Sequence, residues 1–235
     1  MPSLPKPKAR RVALVTGASR GIGAATAVAL AGARFDVVIT ATSLPALKKT
    51  EEACQRLGAK VLSLAHDVSQ RRDADRIARA VTRALGPLDV LVNNAGIVIR
   101  RSVDKMSDDD FDHVLAVNTS GPFYLVRRFL PGMLRRKVGR IINVSSISAT
   151  MGTPGLSGYC ASKWALDGLT RALAEETRGR GVFVASVLPG SVDTDMLKGS
   201  GFPPAMQPGD VARVIRYLAT GAPQAMHGAR VEVFG

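Results

Sequence analysis

Residues 16–23 read Thr-Gly-Ala-Ser-Arg-Gly-Ile-Gly, and this stretch decides the fold. It follows a short apolar run at residues 11–16 and leads into an alanine-rich run at residues 22–33, which is the order strand, turn, helix. Glycines at positions 17, 21 and 23 let the chain turn sharply and let a diphosphate approach the N–H groups at the start of the helix. A glycine turn alone is a weak signal, because glycines also simply begin helices. Its position after the first strand indicates a nucleotide-binding fold.

Strand and helix patterns alternate along the rest of the chain. Continuous apolar runs, typical of strands covered on both faces, lie at residues 11–16, 36–40, 60–65, 88–93, 140–145, 182–188 and 229–233. Helical patterns lie at residues 22–33, 45–57, 69–85 and 107–137, and another helix starts near Pro208. This alternation predicts an α/β fold: a single-domain, doubly wound Rossmann fold with a mostly parallel seven-stranded sheet.

Two details are predicted within the long helical region at residues 107–137. Ser107 is its N-cap, because an acidic run at residues 108–110 follows at the positive end of the helix dipole. Gly121-Pro122 is expected to bend or break the helix.

Length and composition fit one domain. The 235 residues, 46% of them hydrophobic, are enough to bury one core. We predict this domain over residues 11–235, preceded by a basic, proline-containing tail at residues 1–10. The tail lacks the apolar core of a secretory signal, and no run is long enough to cross a bilayer. We therefore expect a cytoplasmic protein without a membrane partner.

Cysteine, histidine and charge narrow the function classes. Cys54 and Cys160 cannot form a disulfide framework, and the three histidines lack metal-ligand spacing, so no metal site is predicted. The net charge of +13 raises the question of a nucleic acid partner. The basic residues are dispersed, however, and aromatic residues make up only 5% of the chain, which argues against it. A solvated arginine-rich surface is favoured over attraction of a phosphorylated cofactor or an acyl carrier.

Tyr159 and Lys163 are four residues apart and lie on one face of a predicted helix. In many helices such a pair only packs and snorkels. Together with the glycine turn, it indicates hydride transfer between a nicotinamide nucleotide and a carbonyl, with Tyr159 protonating the developing alkoxide and Lys163 also holding the nicotinamide ribose. A free phenol has a pKa of about 10. We predict a lower pKa for Tyr159, because an ammonium group and an oxidised nicotinamide both favour phenolate.

Ser146 closes the fifth strand region ahead of Tyr159. Its hydroxyl can donate a hydrogen bond to the substrate oxygen and stabilise charge as it develops. Spacing alone leaves Ser145 and Ser148 as alternatives.

The end of the second strand indicates which nicotinamide nucleotide binds. An NAD site typically places Asp or Glu there, but residues 39–43 read Ile-Thr-Ala-Thr-Ser and contain no carboxylate. Thr42 and Ser43 can donate to a 2′-phosphate, and Arg20 in the glycine turn supplies a positive charge. The sequence therefore predicts NADP(H).

These segments, in this order, resemble the short-chain dehydrogenase/reductase family from about residue 11 to residue 194, and more loosely to the end. The matching segments are residues 16–23, Asp67-Val68, residues 93–96, Asn118, Ser146, Tyr159 with Lys163, and Pro189-Gly190 with Thr194. The Thr-Ala-Thr-Ser run at residues 40–43 looks like that of NADP-dependent 3-oxoacyl-carrier-protein reductases.

The resemblance implies roles for individual residues. The catalytic set is Asn118, Ser146, Tyr159 and Lys163, in which Asn118 holds a water that links the lysine to solvent. The implied cofactor-binding residues are Gly17, Ser19, Arg20, Gly21, Ile22, Gly23, Thr42, Ser43, Asp67, Val68, Asn94, Ala95, Gly96, Tyr159, Lys163, Pro189, Gly190, Val192 and Thr194. Among these, residues 67–68 contact the adenine and Asn94 lies nearest the cofactor within its turn. The nicotinamide is flanked by Pro189, Gly190, Val192 and Thr194. The family also implies a homodimer or homotetramer.

Two segments depart from the family pattern. The stretch at residues 195–206 is shorter than the flap common in acyl-carrier-protein reductases, which weakens a fatty-acid role. Residues 231–235 replace the usual Asp-Gly-Gly ending, which puts the usual tetramer contacts at that end in doubt.

The leading hypothesis is an NADPH-dependent reductase of a ketone or 3-oxoacyl carbonyl, or the reverse oxidation. The substrate would be a small molecule or an acyl thioester. A nucleotide-sugar epimerase or dehydratase is the second enzyme hypothesis, but the glycine spacing differs and the chain is short for its substrate domain. The third is a non-catalytic NADP(H)-sensing or nucleic-acid-binding Rossmann protein. The complete set of four catalytic residues argues against it.

Overall fold

The structure, a computed structural model, describes residues 10–235. The tail predicted at residues 1–10 lies outside these residues except for Arg10. Within these residues, seven strands form one sheet: β1 (Arg11–Thr16), β2 (Phe35–Ala41), β3 (Val61–Ala65), β4 (Val90–Asn93), β5 (Gly139–Val144), β6 (Val182–Pro189) and β7 (Arg230–Val233). Their order is β3-β2-β1-β4-β5-β6-β7, and every pairing is parallel. The predicted Rossmann fold is confirmed, and the sheet is wholly rather than mostly parallel.

From residue 10 onward, seven α-helices cover the two faces of the sheet: α1 (Gly21–Gly32), α2 (Lys48–Arg56), α3 (Arg71–Leu85), α4 (Asp108–Leu115), α5 (Gly121–Arg136), α6 (Ser157–Thr177) and α7 (Pro208–Thr220). Along β1, Ala13 and Val15 pack into the core shared with α1 and α7, whereas Val12 and Leu14 pack into the core shared with α3, α5 and α6. Successive side chains of a strand point to opposite faces of the sheet. Because helices cover both faces, the side chains on both faces must be apolar. None of the helices in the described part of the chain is long and apolar enough to cross a membrane.

The long helical region differs from its prediction at one point. Ser107 does cap α4, because its hydroxyl accepts a hydrogen bond from the Asp110 N–H at 3.1 Å. The helix does not break at Gly121-Pro122, however. A π-helical turn over Ala116–Ser120 joins α4 to α5, and Pro122 falls in the first turn of α5, where a missing N–H is tolerated.

The site is positioned by the carboxyl edge of the central strands. β1, β4, β5 and β6 are neighbours and run in the same direction, so the loops that follow them emerge along one edge. Strand order reverses between β1 and β4, and ligands of open α/β sheets bind in the crevice at such a switch point. The glycine turn, Gly96, Ser146 and Gly190 all follow these four strands.

Candidate active site

The glycine turn after β1 requires glycine at defined positions. Gly17 and Gly21 have φ values of 65° and 57°, in the left-handed region that favours glycine. At Gly23 an added Cβ would collide with the Gly17 carbonyl oxygen and lie 2.5 Å from the Asn94 side-chain nitrogen. The turn therefore packs closely against α1 and the loop after β4.

Asn94 and Ala95 brace this turn from the neighbouring strand. The Thr16 hydroxyl accepts hydrogen bonds from the N–H groups of Asn94 at 3.0 Å and Ala95 at 2.9 Å. The Asn94 amide donates to the carbonyls of Thr16 at 2.8 Å and Gly17 at 3.2 Å. Asn94 thus holds the shape of the turn, a role that its sequence position alone does not reveal.

The start of α1 fits a phosphate group. Arg20 is its N-cap with an extended backbone, no side chain caps the helix, and its first turn carries no acidic residue. Free N–H groups at a helix N-terminus bind anions. Ser19 and Ile22 are partly buried on either side of Arg20, whose own side chain is exposed.

The end of β2 presents exposed hydroxyl groups where a 2′-phosphate is predicted to bind. Thr42 and Ser43 are exposed directly after the strand. The Arg20 side chain, predicted for the same phosphate, instead forms an ion pair with Asp195, Nε to Oδ2 at 3.1 Å. Asp195 was not among the predicted site residues, because nothing in the sequence indicates that it contacts the glycine turn.

The predicted adenine segment follows β3. One Asp67 carboxylate oxygen accepts hydrogen bonds from the Ser69 N–H at 3.0 Å and hydroxyl at 2.7 Å, and Val68 is buried. His66, which the sequence analysis also missed, is buried with its Nδ1 3.4 Å from the Thr40 hydroxyl. Burial lowers the pKa of His66 to about 4, so this histidine is neutral at physiological pH.

Tyr159 and Lys163 lie one turn apart on α6, and both side chains are buried. The Lys163 Nζ is 5.6 Å from the centre of the Tyr159 ring and donates to the Val144 carbonyl at 3.0 Å. Burial lowers the pKa of Lys163 to about 8. The site therefore holds an ammonium group beside a phenol, away from water.

In the protein without nucleotide the pKa of Tyr159 is raised rather than lowered, and the lowering beside an oxidised nicotinamide stays a prediction. Burial raises the pKa of Tyr159 above its ordinary value, and the Ser146 hydroxyl and the Arg100 charge offset this only in part. The sequence indicates the neighbouring cation but not the desolvation of the phenol, which disfavours the charged form.

Ser145 and Ser146 have different contacts after β5. The Ser145 hydroxyl donates to the Lys163 carbonyl at 3.2 Å, so it fastens α6. The Ser146 oxygen accepts a hydrogen bond from the Ser148 N–H at 3.1 Å and lies beside the Tyr159 phenol. Because an acceptor bond leaves the hydroxyl proton free, Ser146 can donate to a substrate oxygen next to Tyr159.

Asn118 lies on the π-helical turn and is fully buried. Its Oδ1 accepts from the Ile97 N–H at 2.8 Å, and its Nδ2 donates to the Ile97 carbonyl and the Ser162 hydroxyl, both at 2.9 Å. A Cβ added to Gly96 would lie 3.2 Å from this Oδ1 and 3.5 Å from the Lys163 Nζ. Both amide protons are used, so the predicted water contact of Asn118 could use only its oxygen or its backbone.

The loop after β6 returns to the glycine turn. The Gly190 N–H donates to the Val233 carbonyl at 2.8 Å, and the buried Val192 forms a bridge with Met206. Thr194 follows, and its methyl group would lie 3.2 Å from a Cβ added at Gly21. The predicted nicotinamide segment, which begins at Pro189 where β6 ends, therefore meets the predicted phosphate turn.

These features together fit a nicotinamide dinucleotide. An uncapped helix start behind a glycine turn and a buried phenol–ammonium pair lie along one edge of the sheet. No cluster of three or more His, Cys, Asp or Glu residues within residues 10–235 is placed to hold a metal ion.

The fold and this arrangement define a Rossmann-type oxidoreductase. The profile of the short chain dehydrogenase family matches residues 11–201, and the chain belongs to that family. It is 37% identical over 220 residues to a 3-oxoacyl-[acyl-carrier-protein] reductase of Synechocystis sp., covering 89% of each chain. It is 36% identical over 239 residues to the reductase FabG of Pseudomonas aeruginosa, covering 96% of each chain.

A solved structure gives the same family. A short-chain type dehydrogenase/reductase from Mycobacterium marinum superposes with a TM-score of 0.92 at 29% identity, covering 97% of this chain and 95% of that one.

Proposed function

We propose that this protein is an NADPH-dependent reductase that converts a ketone or 3-oxoacyl carbonyl to an alcohol, or catalyses the reverse oxidation. The observation that carries the proposal is the buried pair of Tyr159 and Lys163 behind Gly96, with the Ser146 hydroxyl beside the phenol. NADPH, when bound, supplies the hydride. The protein supplies the proton, the orientation of the carbonyl and the positive charge.

Tyr159 is the proton donor in this mechanism. Its raised pKa keeps the phenol protonated at neutral pH, as a general acid requires. Ser146 donates a hydrogen bond to the carbonyl oxygen, which fixes that oxygen next to the phenol and stabilises charge that develops on it. As Tyr159 gives up its proton, the Lys163 ammonium near its ring stabilises the phenolate.

Lys163 and Asn118 would restore the proton. Lys163 would bind the nicotinamide ribose and pass a proton toward Tyr159. Asn118, which is adjacent to Gly96 and Lys163, would keep a water in contact with the lysine. Asn118 accepts a hydrogen bond from the Ile97 N–H and donates one to the Ser162 hydroxyl, and these bonds support a fixed position for this residue.

The choice of NADPH rests on the end of β2 and on Arg20. Residues 39–43 carry no carboxylate that would repel a 2′-phosphate, and Thr42 and Ser43 present exposed hydroxyl groups. Arg20 can reach an anion at the start of α1, although Asp195 competes for it.

An acyl thioester is the favoured substrate class, because two relatives at 36–37% identity are named 3-oxoacyl-[acyl-carrier-protein] reductases. The short segment at residues 195–206 keeps compact ketones as an alternative. A cytoplasmic location and a homodimer or homotetramer complete the proposal; light scattering of the purified protein tests the oligomer.

The test is NADPH consumption against an acetoacetyl thioester, a diketone, a quinone and an aromatic aldehyde. We expect turnover on the thioester or the diketone, and its loss in Tyr159→Phe with unchanged NADPH binding. Substantial activity in that variant would refute the assigned proton donor. If NADPH binds and none of the four carbonyls turns over, the non-catalytic NADP(H)-sensing alternative gains support.

A further inference from the structure

The segment at residues 194–206, called the lid below, is a loop closed at its base. The Asp193 N–H donates to the Met206 carbonyl at 2.9 Å, and the Ala205 N–H donates to the Ser191 carbonyl at 2.9 Å. With these bonds and the bridge between Val192 and Met206, the base is fixed while the residues between remain largely exposed.

Two consecutive lid residues connect it to the two halves of the site. The Asp195 Oδ2 lies 3.1 Å from Nε of Arg20 in the glycine turn. The Met196 carbonyl accepts a hydrogen bond from Arg100 at 2.6 Å, in the segment that follows Gly96. The lid is thus fastened on one side to the proposed phosphate site and on the other to the approach to Tyr159.

The ion pair with Arg20 is built so that an anion can replace it. The Arg20 side chain is 74% exposed and that of Asp195 49% exposed, and exposed pairs of this kind are weak. The second oxygen of Asp195 lies 2.5 Å from Lys198 Nζ within the lid. If Arg20 pairs with another anion, Asp195 therefore keeps its ion pair with Lys198. This remaining pair lowers the cost of losing the contact with Arg20.

We propose that Asp195 is a specificity-determining residue that competes with the 2′-phosphate of NADP(H) for Arg20, so that arrival of this phosphate releases the lid. The inference rests on the proposed function, because it requires a 2′-phosphate at Arg20. A doubly charged phosphate with several acceptor oxygens attracts a guanidinium more strongly than one carboxylate does. NADH carries no such phosphate and leaves the pair between Arg20 and Asp195 intact.

The proposal predicts that removing the Asp195 charge raises the affinity for NADPH and abolishes the response of the lid to the 2′-phosphate. Removing the Asp195 charge removes the competitor, so NADPH binds about two- to fivefold more tightly, the range expected for an exposed ion pair. NADH affinity stays the same. The lid of this variant is released before any nucleotide binds, and it no longer distinguishes the two cofactors.

The experiment is hydrogen exchange of the lid peptides in the full-length protein. Adenosine 2′,5′-bisphosphate serves as a probe with the 2′-phosphate and no nicotinamide, and ADP serves as its matched control. In the wild-type protein the bisphosphate should accelerate lid exchange and ADP should not. In Asp195→Asn exchange should be fast without nucleotide and unresponsive to either probe.

Asp193→Asn is the matched control variant. Asp193 is an exposed carboxylate two positions away, and it contacts Gln207 at 3.3 Å rather than Arg20. Asp193→Asn should show the wild-type rate of hydrogen exchange in the lid and the wild-type affinity for the nucleotide probes. Wild-type behaviour of Asp195→Asn, or fast lid exchange in both variants, would overturn the proposal.

Binding data separate this inference from the proposed function. If the bisphosphate fails to bind the wild type, the NADP(H) assignment fails and the inference fails with it. If it binds and lid exchange does not change, the NADP(H) assignment stands and the role of Asp195 alone is refuted.

Discussion

Replacing Lys163 with Met tests the central electrostatic feature of the site. Burial lowers the pKa of Lys163 from 10.5 to about 8. Between these two values the unfolded chain binds more protons than the folded one, so the free energy of unfolding of the wild type rises with pH. Below pH 8 the ammonium is charged in both states and its desolvation penalty is fully present. As pH rises through 8 the folded protein loses this charge and the penalty is relieved. Above pH 10.5 the side chain is neutral in both states, so the free energy of unfolding gains nothing further from it.

The size of the effect follows from the two pKa values. With a folded pKa of about 8 and an unfolded pKa of 10.5, the linkage relation gives a stability gain of about 2 kcal/mol between pH 7 and pH 9.5. Lys163→Met lacks this ionisation and therefore lacks this part of the pH dependence. Its absolute stability at pH 7 also reflects the loss of the bond to the Val144 carbonyl, so the comparison between pH values is the informative one.

The assay is urea unfolding followed by circular dichroism at pH 7 and pH 9.5, at one protomer concentration. Lys49→Met, at an exposed position of α2, is the control and should retain the wild-type pH dependence. The reasoning is refuted if wild type and Lys163→Met change in stability equally, within about 0.5 kcal/mol, over this interval.

Three further substitutions test separate parts of the site. Gly23→Ala should destabilise the protein by at least about 1–3 kcal/mol and abolish NADPH binding, because its Cβ would collide with Gly17. Thermal unfolding measures the loss of stability, and Gly168→Ala, at a position with open space around it, is the control. Asn118→Ala should cost about 1–3 kcal/mol by leaving buried polar groups unpaired and should lower kcat; unchanged kcat would contradict its assigned role. Thr42→Asp should weaken NADPH binding about tenfold more than NADH binding, and equal losses in fluorescence titrations would remove the NADP(H) assignment.

The fold could be predicted from the sequence because its signals are local. Apolar runs of strand length, the glycine turn and the Ser107 cap each depend on neighbouring residues, and strand limits differ by one or two residues. The sequence predicted that Gly121-Pro122 would bend or break the helix. The break does not occur, because a π turn over Ala116–Ser120 continues directly into α5; the bend stays a prediction.

The sequence predicts which residue types form the candidate site, but it does not predict the environment of each side chain. The sign of the Tyr159 pKa shift depends on burial by residues from several elements, which composition and spacing do not reveal. The pair between Arg20 and Asp195 joins segments far apart in the chain. Likewise, spacing alone left Ser145 and Ser148 as alternatives to Ser146, which only the family resemblance selected; the contact between the Ser145 hydroxyl and the Lys163 carbonyl is visible only in the structure.

The cost of burying Lys163 is tied to the chemistry proposed for the site. Within residues 10–235 no carboxylate pairs with this ammonium; its hydrogen bond goes to the Val144 carbonyl, and desolvation dominates its pKa. A carboxylate partner would stabilise the folded protein, but it would also cancel the positive field at the phenol. In the proposed reaction, negative charge develops on Tyr159 when it gives up its proton, and an unpaired ammonium in a dry site would stabilise that charge most effectively. The desolvation cost of the Lys163 ammonium, which no carboxylate offsets in the described residues, therefore leaves its positive charge free to stabilise the phenolate in the proposed reaction.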